Sequence, residues 1–172
     1  MEQLIVGKSL EIQLAALLDT LPTDATVSYM VTRLNEGEEA TIVASSKETI
    51  VHTGASMVKT LILEYVFHLA AQEQLDLNDT IALSRSPRVE GAGALMELVG
   101  NHSFSYLELC RLMMVLSDNW ATNLLIQALG MENINARAEQ LGLEHFEINR
   151  MMMDFTAAKE NRENYITAMD MT

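Results

Sequence analysis

Two features of this chain have the residue types and spacing to do chemistry. The first is Ser56 with Lys59, in the stretch His52-Thr53-Gly54-Ala55-Ser56-Met57-Val58-Lys59. A serine hydroxyl is a poor nucleophile until a neighbouring base takes its proton. Three residues apart at a helix start, the two side chains share a face, and the amine reaches the hydroxyl. A free lysine, with a pKa of about 10.4, is protonated at neutral pH and accepts nothing. Burial in a cleft and the positive end of a helix dipole both favour the neutral amine. The same helix start aims backbone N–H groups, that of Ser56 included, at a developing oxyanion. Ser-x-x-Lys also describes a plain helix cap followed by a surface lysine. The second feature, Ser117-Asp118-Asn119, is a polar triplet that interrupts apolar helical sequence.

The elements that must carry these residues can be read from periodicity. From Met57 to Leu75, strong helix formers carry Val58, Ile62, Val66 and Leu69 at helical spacing, which puts Ser56 at or next to the N-cap. Leu4 to Leu18, with Leu10, Leu14, Leu17 and Leu18, reads as an amphipathic first helix ended by Pro22. Thr26 to Leu34 alternates as a strand, Asn35-Glu36-Gly37 turns, and Ala40 to Ala44 returns as the second strand of a hairpin. Leu75 to Asp79 breaks the helical pattern, and a loop with Pro87, Gly91 and Gly93 follows. Ser105-Tyr106-Leu107-Glu108 has capping-box spacing and opens a helix running to Leu116. Helices over Ala121 to Leu129 and Glu132 to Leu141 are closed by Gly130 and Gly142. Arg150 to Thr172 reads as a long loop ending in a helix start. Internal repeats and low-complexity segments are absent from the sequence.

Composition narrows the function classes. With 172 residues and 49% hydrophobic content, the chain makes one globular domain or two small subdomains. A net charge of −13 argues against nucleic-acid and anionic-lipid partners. Cys110, the only cysteine, lies in an apolar run and is expected in the core. His52, His68, His102 and His145 are dispersed without metal-site spacing, so neither a metal nor another cofactor is expected. Met151-Met152-Met153 reads as packing, and the acidic run from Asp154 to Glu163 as a solvated loop. The N-terminus has neither a basic leader nor a long apolar stretch, and no apolar run reaches transmembrane length. This fits an intracellular protein or a mature form with its leader removed.

Ser56-x-x-Lys59 followed by Ser117-Asp118-Asn119 resembles the serine β-lactamase and penicillin-binding protein superfamily, its class A branch in particular. Leu107-Glu108-Leu109-Cys110 and Ser117 through Leu125 resemble the family's central helices. Leu141 to Arg150 and Arg162-Glu163-Asn164-Tyr165 resemble the segments entering and leaving its active-site loop. The likeness spans Thr26 to Met171. It implies an α+β fold: a partial α/β subdomain over 1–55, a helical subdomain over 56–149 and an active-site loop over 150–172, with an incomplete antiparallel sheet. It also implies residue roles. Ser56 is the acylated nucleophile, Lys59 its proton acceptor, and Ser117 the donor to the leaving lactam nitrogen. Asn119 bonds the substrate's side-chain amide and Lys59, while Asp118 and Arg150 brace the loop. Two departures stand out: no Lys-Thr-Gly or Lys-Ser-Gly occurs before Thr172, and Met152 stands where the class A loop has its water-activating glutamate.

The expected function is therefore a class A β-lactamase-like serine hydrolase acting through an acyl-serine. A second reading is a non-catalytic or penicillin-binding remnant that associates with another chain. A third is an esterase or peptidase using the same Ser-Lys pair. The expected ligand is a small β-lactam or a peptidoglycan-peptide-like molecule. The strand Thr26 to Leu34 is expected to keep an open edge, with Leu10, Leu14 and Leu17 partly exposed, and so to favour a homo-oligomer.

Overall fold

The computed structural model describes residues 2–34, 37 and 40–172, with residues 2–9 described by their backbone alone. The chain forms two compact units: residues 1–52 with 167–172, and residues 53–166. The α+β class expected from the sequence holds.

In the first unit, α1 (Glu2–Leu18) packs on the hairpin of β1 (Tyr29–Arg33) and β2 (Thr41–Ser46). The helix ends ahead of Pro22, where Thr20 and Leu21 turn back onto the carbonyls of Leu17 and Leu18. β1 and β2 are antiparallel, with Tyr29 opposite Ser46 and Arg33 opposite Thr41. The register shifts between Val31 and Thr32, so Val43 is an extra residue on β2. Both strands differ from the predicted limits: β1 begins at Tyr29 rather than Thr26, and β2 runs to Ser46 rather than Ala44. Of the predicted turn, Asn35 and Glu36 lie outside the described residues, and Gly37 has the left-handed φ of 74° that glycine tolerates. Among the described residues β1 pairs only with β2. Ile12, Leu17, Val31 and Ile42 are exposed, while Leu10 and Leu14 are half-buried.

The second unit is helical. It begins at Thr53, the second residue of β3 (His52–Thr53). A 3-10 turn over Ala55–Val58 leads into α2 (Lys59–Ala71). A short antiparallel ladder of β4 (Thr80–Ala82) and β5 (Ser103–Ser105) pairs Ile81 with Phe104. Then come α3 (Tyr106–Val115), α4 (Asn119–Leu129), α5 (Met131–Gln140), α6 (Phe155–Lys159) and β6 (Tyr165–Ile166). The capping box predicted at Ser105 is present on both sides: Glu108 N–H donates to Ser105 Oγ, and Ser105 N–H donates to the Glu108 carboxylate. The tail read as a loop contains α6 and β6, five and two residues long, too short to show a period.

α4 is the axis of this unit. Every residue from Asn119 to Ile126 is buried, as expected of a helix surrounded on all sides. Leu124, Leu125 and Ile126 join Ile62 and Val66 of α2, Leu109 and Met113 of α3, and Ile134 of α5 in a core excluded from water. Each such side chain contributes about 1.5–3 kcal/mol relative to exposure. Cys110 belongs to this core, and burial pushes its thiol up to about 11. A Glu64–Arg137 ion pair ties α2 to α5. Among the described residues, no helix is long and apolar enough to cross a membrane.

Candidate active site

The sequence places Ser56 at or next to the helix N-cap, but it lies two residues ahead of Val58, the N-cap of α2. It lies inside the 3-10 turn, whose own N-cap is Gly54, and makes no capping bond. Its Oγ is 3.2 Å from Lys59 Nζ and 3.0 Å from Ser117 Oγ, so the hydroxyl faces the cleft rather than the helix end. Two backbone features fix this turn. Gly54 N–H donates to the Asn164 carbonyl at 2.7 Å, and a Cβ on Gly54 would meet Val58 Cγ1 at 2.6 Å. Ala55, just before the serine, holds the strained left-handed φ of 43°. Such conformations cost on the order of 1–3 kcal/mol and gather at functional sites.

Lys59 opens α2 and is 2% exposed. Its Nζ donates to the Ser117 carbonyl at 2.8 Å, to Ser117 Oγ at 2.9 Å and to Asn119 Oδ1 at 3.1 Å. Desolvation dominates over the attraction of Asp118 and lowers its pKa to about 8. The amine is thus within reach of two hydroxyls and well below the usual lysine range.

Ser117-Asp118-Asn119 sends its three side chains three ways. Ser117, at φ 53°, turns toward Ser56 and Lys59. Asn119 is buried and directs its carbonyl oxygen to Lys59. Asp118 is 1% exposed and points into the protein. Its Oδ2 accepts from the N–H groups of Ala94 and Leu95 at 2.7 and 2.8 Å, and its Oδ1 accepts from Ala121 N–H at 2.9 Å, capping α4. A Cβ on Gly93 would come within 2.3 Å of that carboxylate, so glycine there permits the close approach. The structure therefore gathers Ser56, Lys59, Ser117 and Asn119 at one point and sets Asp118 behind them.

Arg150 lies apart from this cluster, in the loop that follows α5. It pairs with Glu163 at 2.9 Å. Asn164 closes the same loop: its Oδ1 accepts from Asn149 and Arg150 N–H, and its Nδ2 donates to the Arg150 carbonyl. Met152 is held by its backbone, since Asn123 Oδ1 accepts its N–H at 2.7 Å and Asn123 Nδ2 donates to its carbonyl at 3.1 Å. The neighbouring carboxylates are engaged elsewhere: Asp154 caps α6, Glu160 pairs with Arg162, and Glu163 pairs with Arg150. Sequence reasoning missed Asn123 and Asn164. For Asn123 the available signal was an amide inside a mostly apolar helical run, which needs a partner once buried, whereas Asn164 sits among polar residues that give no such signal. Among the described residues, no three His, Cys, Asp or Glu side chains group to hold a metal ion.

A profile of the Beta-lactamase enzyme family matches residues 9–172. The chain is 34% identical over 108 residues to beta-lactamase ROB-1 of Haemophilus influenzae, covering 62% of this chain and 34% of that protein. Among solved structures it is similar to a beta-lactamase from Sphaerobacter thermophilus, with a TM-score of 0.76 and 26% identity over 91% of this chain and 57% of that one. It is also similar to a variant of PBP-A solved as an acyl-enzyme complex with penicillin G, with a TM-score of 0.77 and 25% identity over 95% of this chain and 58% of that one. The chain thus spans about a third of the curated relative and under three-fifths of these structures.

Proposed function

The chain belongs to the Beta-lactamase enzyme family, and from that premise we propose that it is a serine hydrolase of the class A β-lactamase type whose Ser56 is acylated by β-lactams. The observation that supports this best is Lys59, a buried amine with a pKa near 8, within 3.2 Å of the Ser56 and Ser117 hydroxyls. At pH 7 about a tenth of such an amine is neutral and able to accept a proton. In the proposed step Lys59 takes the Ser56 proton as Oγ attacks the lactam carbonyl. The Ser56 Oγ–C bond forms, the lactam C–N bond breaks, and the nitrogen takes the Ser117 proton, which Lys59 replaces. Asn119 Nδ2 is left to bind the substrate's side-chain amide, since its Oδ1 is held by Lys59. Asp118 and Arg150 act as positioning residues.

Intact-mass measurement after exposure to benzylpenicillin tests the reading. A single adduct is expected, absent from Ser56→Ala. An adduct that persists in Ser56→Ala overturns the assignment.

The second reading, a penicillin-binding protein that acylates and stalls, is favoured by Met152, because a thioether accepts no proton from water. The Asn123 clamp grips the Met152 backbone, so it does not depend on which side chain that residue carries. Met152→Glu should therefore speed deacylation by about a hundredfold or more. Equal adduct lifetimes in the two proteins would exclude Met152 as the cause of stalling. The proposal extends to assembly: copies of the chain pair through the edge of β1 away from β2, which has no strand partner among the described residues.

A further inference from the structure

Met57, Met114, Met153 and Met169 are exposed to solvent. An exposed thioether is a common target of oxidants, which turn a flexible apolar side chain into a polar, chiral sulfoxide. Met153 is the one whose thioether stands against a polar group of the candidate active site. It is 36% exposed and lines a cavity of about 490 Å³ beside residues 86–90. That space is ample for an oxidant little larger than water.

The thioether and the polar group meet across Gly91. A Cβ on that glycine would stand 3.3 Å from the Met153 sulfur, 3.2 Å from Met153 Cε and 2.8 Å from Asn119 Nδ2. Thioether and amide therefore flank one spot, which stays clear because Gly91 has no side chain. Its φ of 104° is a conformation that other residues rarely adopt. The Asn119 Oδ1 is held by Lys59, while its Nδ2 donates to nothing among the described residues. The amide N–H₂ is thus the open end of Asn119, and the methionine is beside it.

We propose that Met153 is an oxidation site whose sulfoxide closes the Asn119 amide to substrate. This rests on the proposal that Asn119 Nδ2 binds a substrate amide. In the oxidation step the Met153 sulfur attacks hydrogen peroxide. A sulfur–oxygen bond forms, the O–O bond breaks, and the second oxygen leaves as water with both peroxide protons. The sulfur gives up two electrons and the peroxide takes them. A thioether is a weak acceptor, whereas the sulfoxide oxygen is a polar group one bond beyond the sulfur. The unbranched side chain turns that oxygen to Nδ2. Lys59 keeps its bond to Asn119 Oδ1, so recognition of amide-bearing substrates is lost while the Ser56–Lys59 pair is kept. Methionine sulfoxide reductases reverse the change.

Two measurements on the full chain test this, one of which needs no chemistry at Ser56. In the first, acylation by benzylpenicillin, which carries a side-chain amide, is compared with acylation by 6-aminopenicillanic acid, which carries an amine instead. Hydrogen peroxide should slow the first by about tenfold, the worth of one hydrogen bond, and leave the second within about twofold. Methionine sulfoxide reductase should restore the rate, and Met153→Leu should show no such loss. Equal slowing of both compounds, or the same loss in Met153→Leu, overturns the proposal. So does peptide mapping that finds oxygen on Met57, Met114 and Met169 but none on Met153. In the second, the Asn119 side-chain amide is followed by NMR in Ser56→Ala. Its resonances should shift on oxidation and stay in place when Met153→Leu is added; an amide that ignores the Met153 sulfoxide overturns the proposal. If the amide shifts but no penicillin acylates the parent protein, the oxidation site stands and the hydrolase reading falls. If Ser56 is acylated and oxidation of Met153 changes neither rate nor amide, the oxidation site alone falls.

Discussion

The two units handle their polar and apolar groups in opposite ways. In the helical unit, water is excluded from α4 between Asn119 and Ile126, and each polar side chain buried there has a partner. Asn119 bonds Lys59, Thr122 donates to the Asp118 carbonyl, Asn123 clamps Met152, and Trp120 donates to the Ser86 carbonyl. No buried side-chain nitrogen or oxygen among the described residues lacks a hydrogen bond. In the other unit, a two-stranded hairpin and a helix leave Ile12, Leu17, Val31 and Ile42 in water. A two-stranded hairpin is marginal by itself. The proposed chemistry therefore rests on the unit with the specific polar contacts, where losing one partner strands others. The hairpin unit depends on contacts that single surface changes barely alter.

Breaking the polar interior should have the largest effect. Asp118→Ala removes the acceptor for three backbone N–H groups at once and should cost about 3–5 kcal/mol of stability. Urea unfolding followed by the fluorescence of Trp120, the only tryptophan, reports on this unit directly. A loss below about 1 kcal/mol would mean that water or neighbouring groups replace the carboxylate.

The next effect is one of pH. Folding lowers the Lys59 pKa from 10.5 to about 8, so between those values the unfolded chain binds more protons than the folded one. Stability should therefore rise with pH through that window, by about 3 kcal/mol at most. Cys110 works in the opposite sense, because its raised pKa makes the folded state hold the proton longer above pH 9. Lys59→Met keeps the Cys110 contribution, so the difference between the two proteins isolates the lysine. The variant should lose the rising limb in urea midpoints measured from pH 7 to 10. Parallel curves would show that the buried amine stays charged.

The smallest effect sharpens the contrast from the other side. Val31→Lys with Ile42→Lys alters two exposed positions and should move the Trp120 transition by less than about 0.5 kcal/mol. The same pair places like charges on the hairpin whose edge we propose for self-association, so light scattering at micromolar concentration should show a smaller species than the parent. An unchanged mass removes β1 as the contact.

Sequence reading went furthest where geometry is local. Ser56 and Lys59 come together because three residues make about one turn, and that holds whether the turn is α or 3-10. The Ser105 capping box and the glycine stops at 130 and 142 are local in the same way. Legibility failed where a contact crosses the chain or an element is too short for a period. The divergence of Ser117, Asp118 and Asn119 depends on the positive φ at Ser117, which three polar residues in a row do not announce. β4 and β5 are three residues each and exist by pairing over more than twenty positions. Asn164 looked like one more polar residue in a tail, since its partners lie fourteen and fifteen residues earlier.

That last residue has a consequence for how the loop can change over time. Asn164 and the Arg150–Glu163 pair fasten the two ends of the segment to each other, using backbone groups of Asn149 and Arg150 that do not depend on what lies between. The entropic cost of closing a loop grows only slowly with its length. The stretch from Met151 to Arg162 is in that respect an exchangeable cassette. Its exposed positions, Met153, Phe155, Thr156 and Lys159 through Arg162, can be rewritten while the clasp stays shut, without redesigning the turn and helix that hold Ser56 and Lys59.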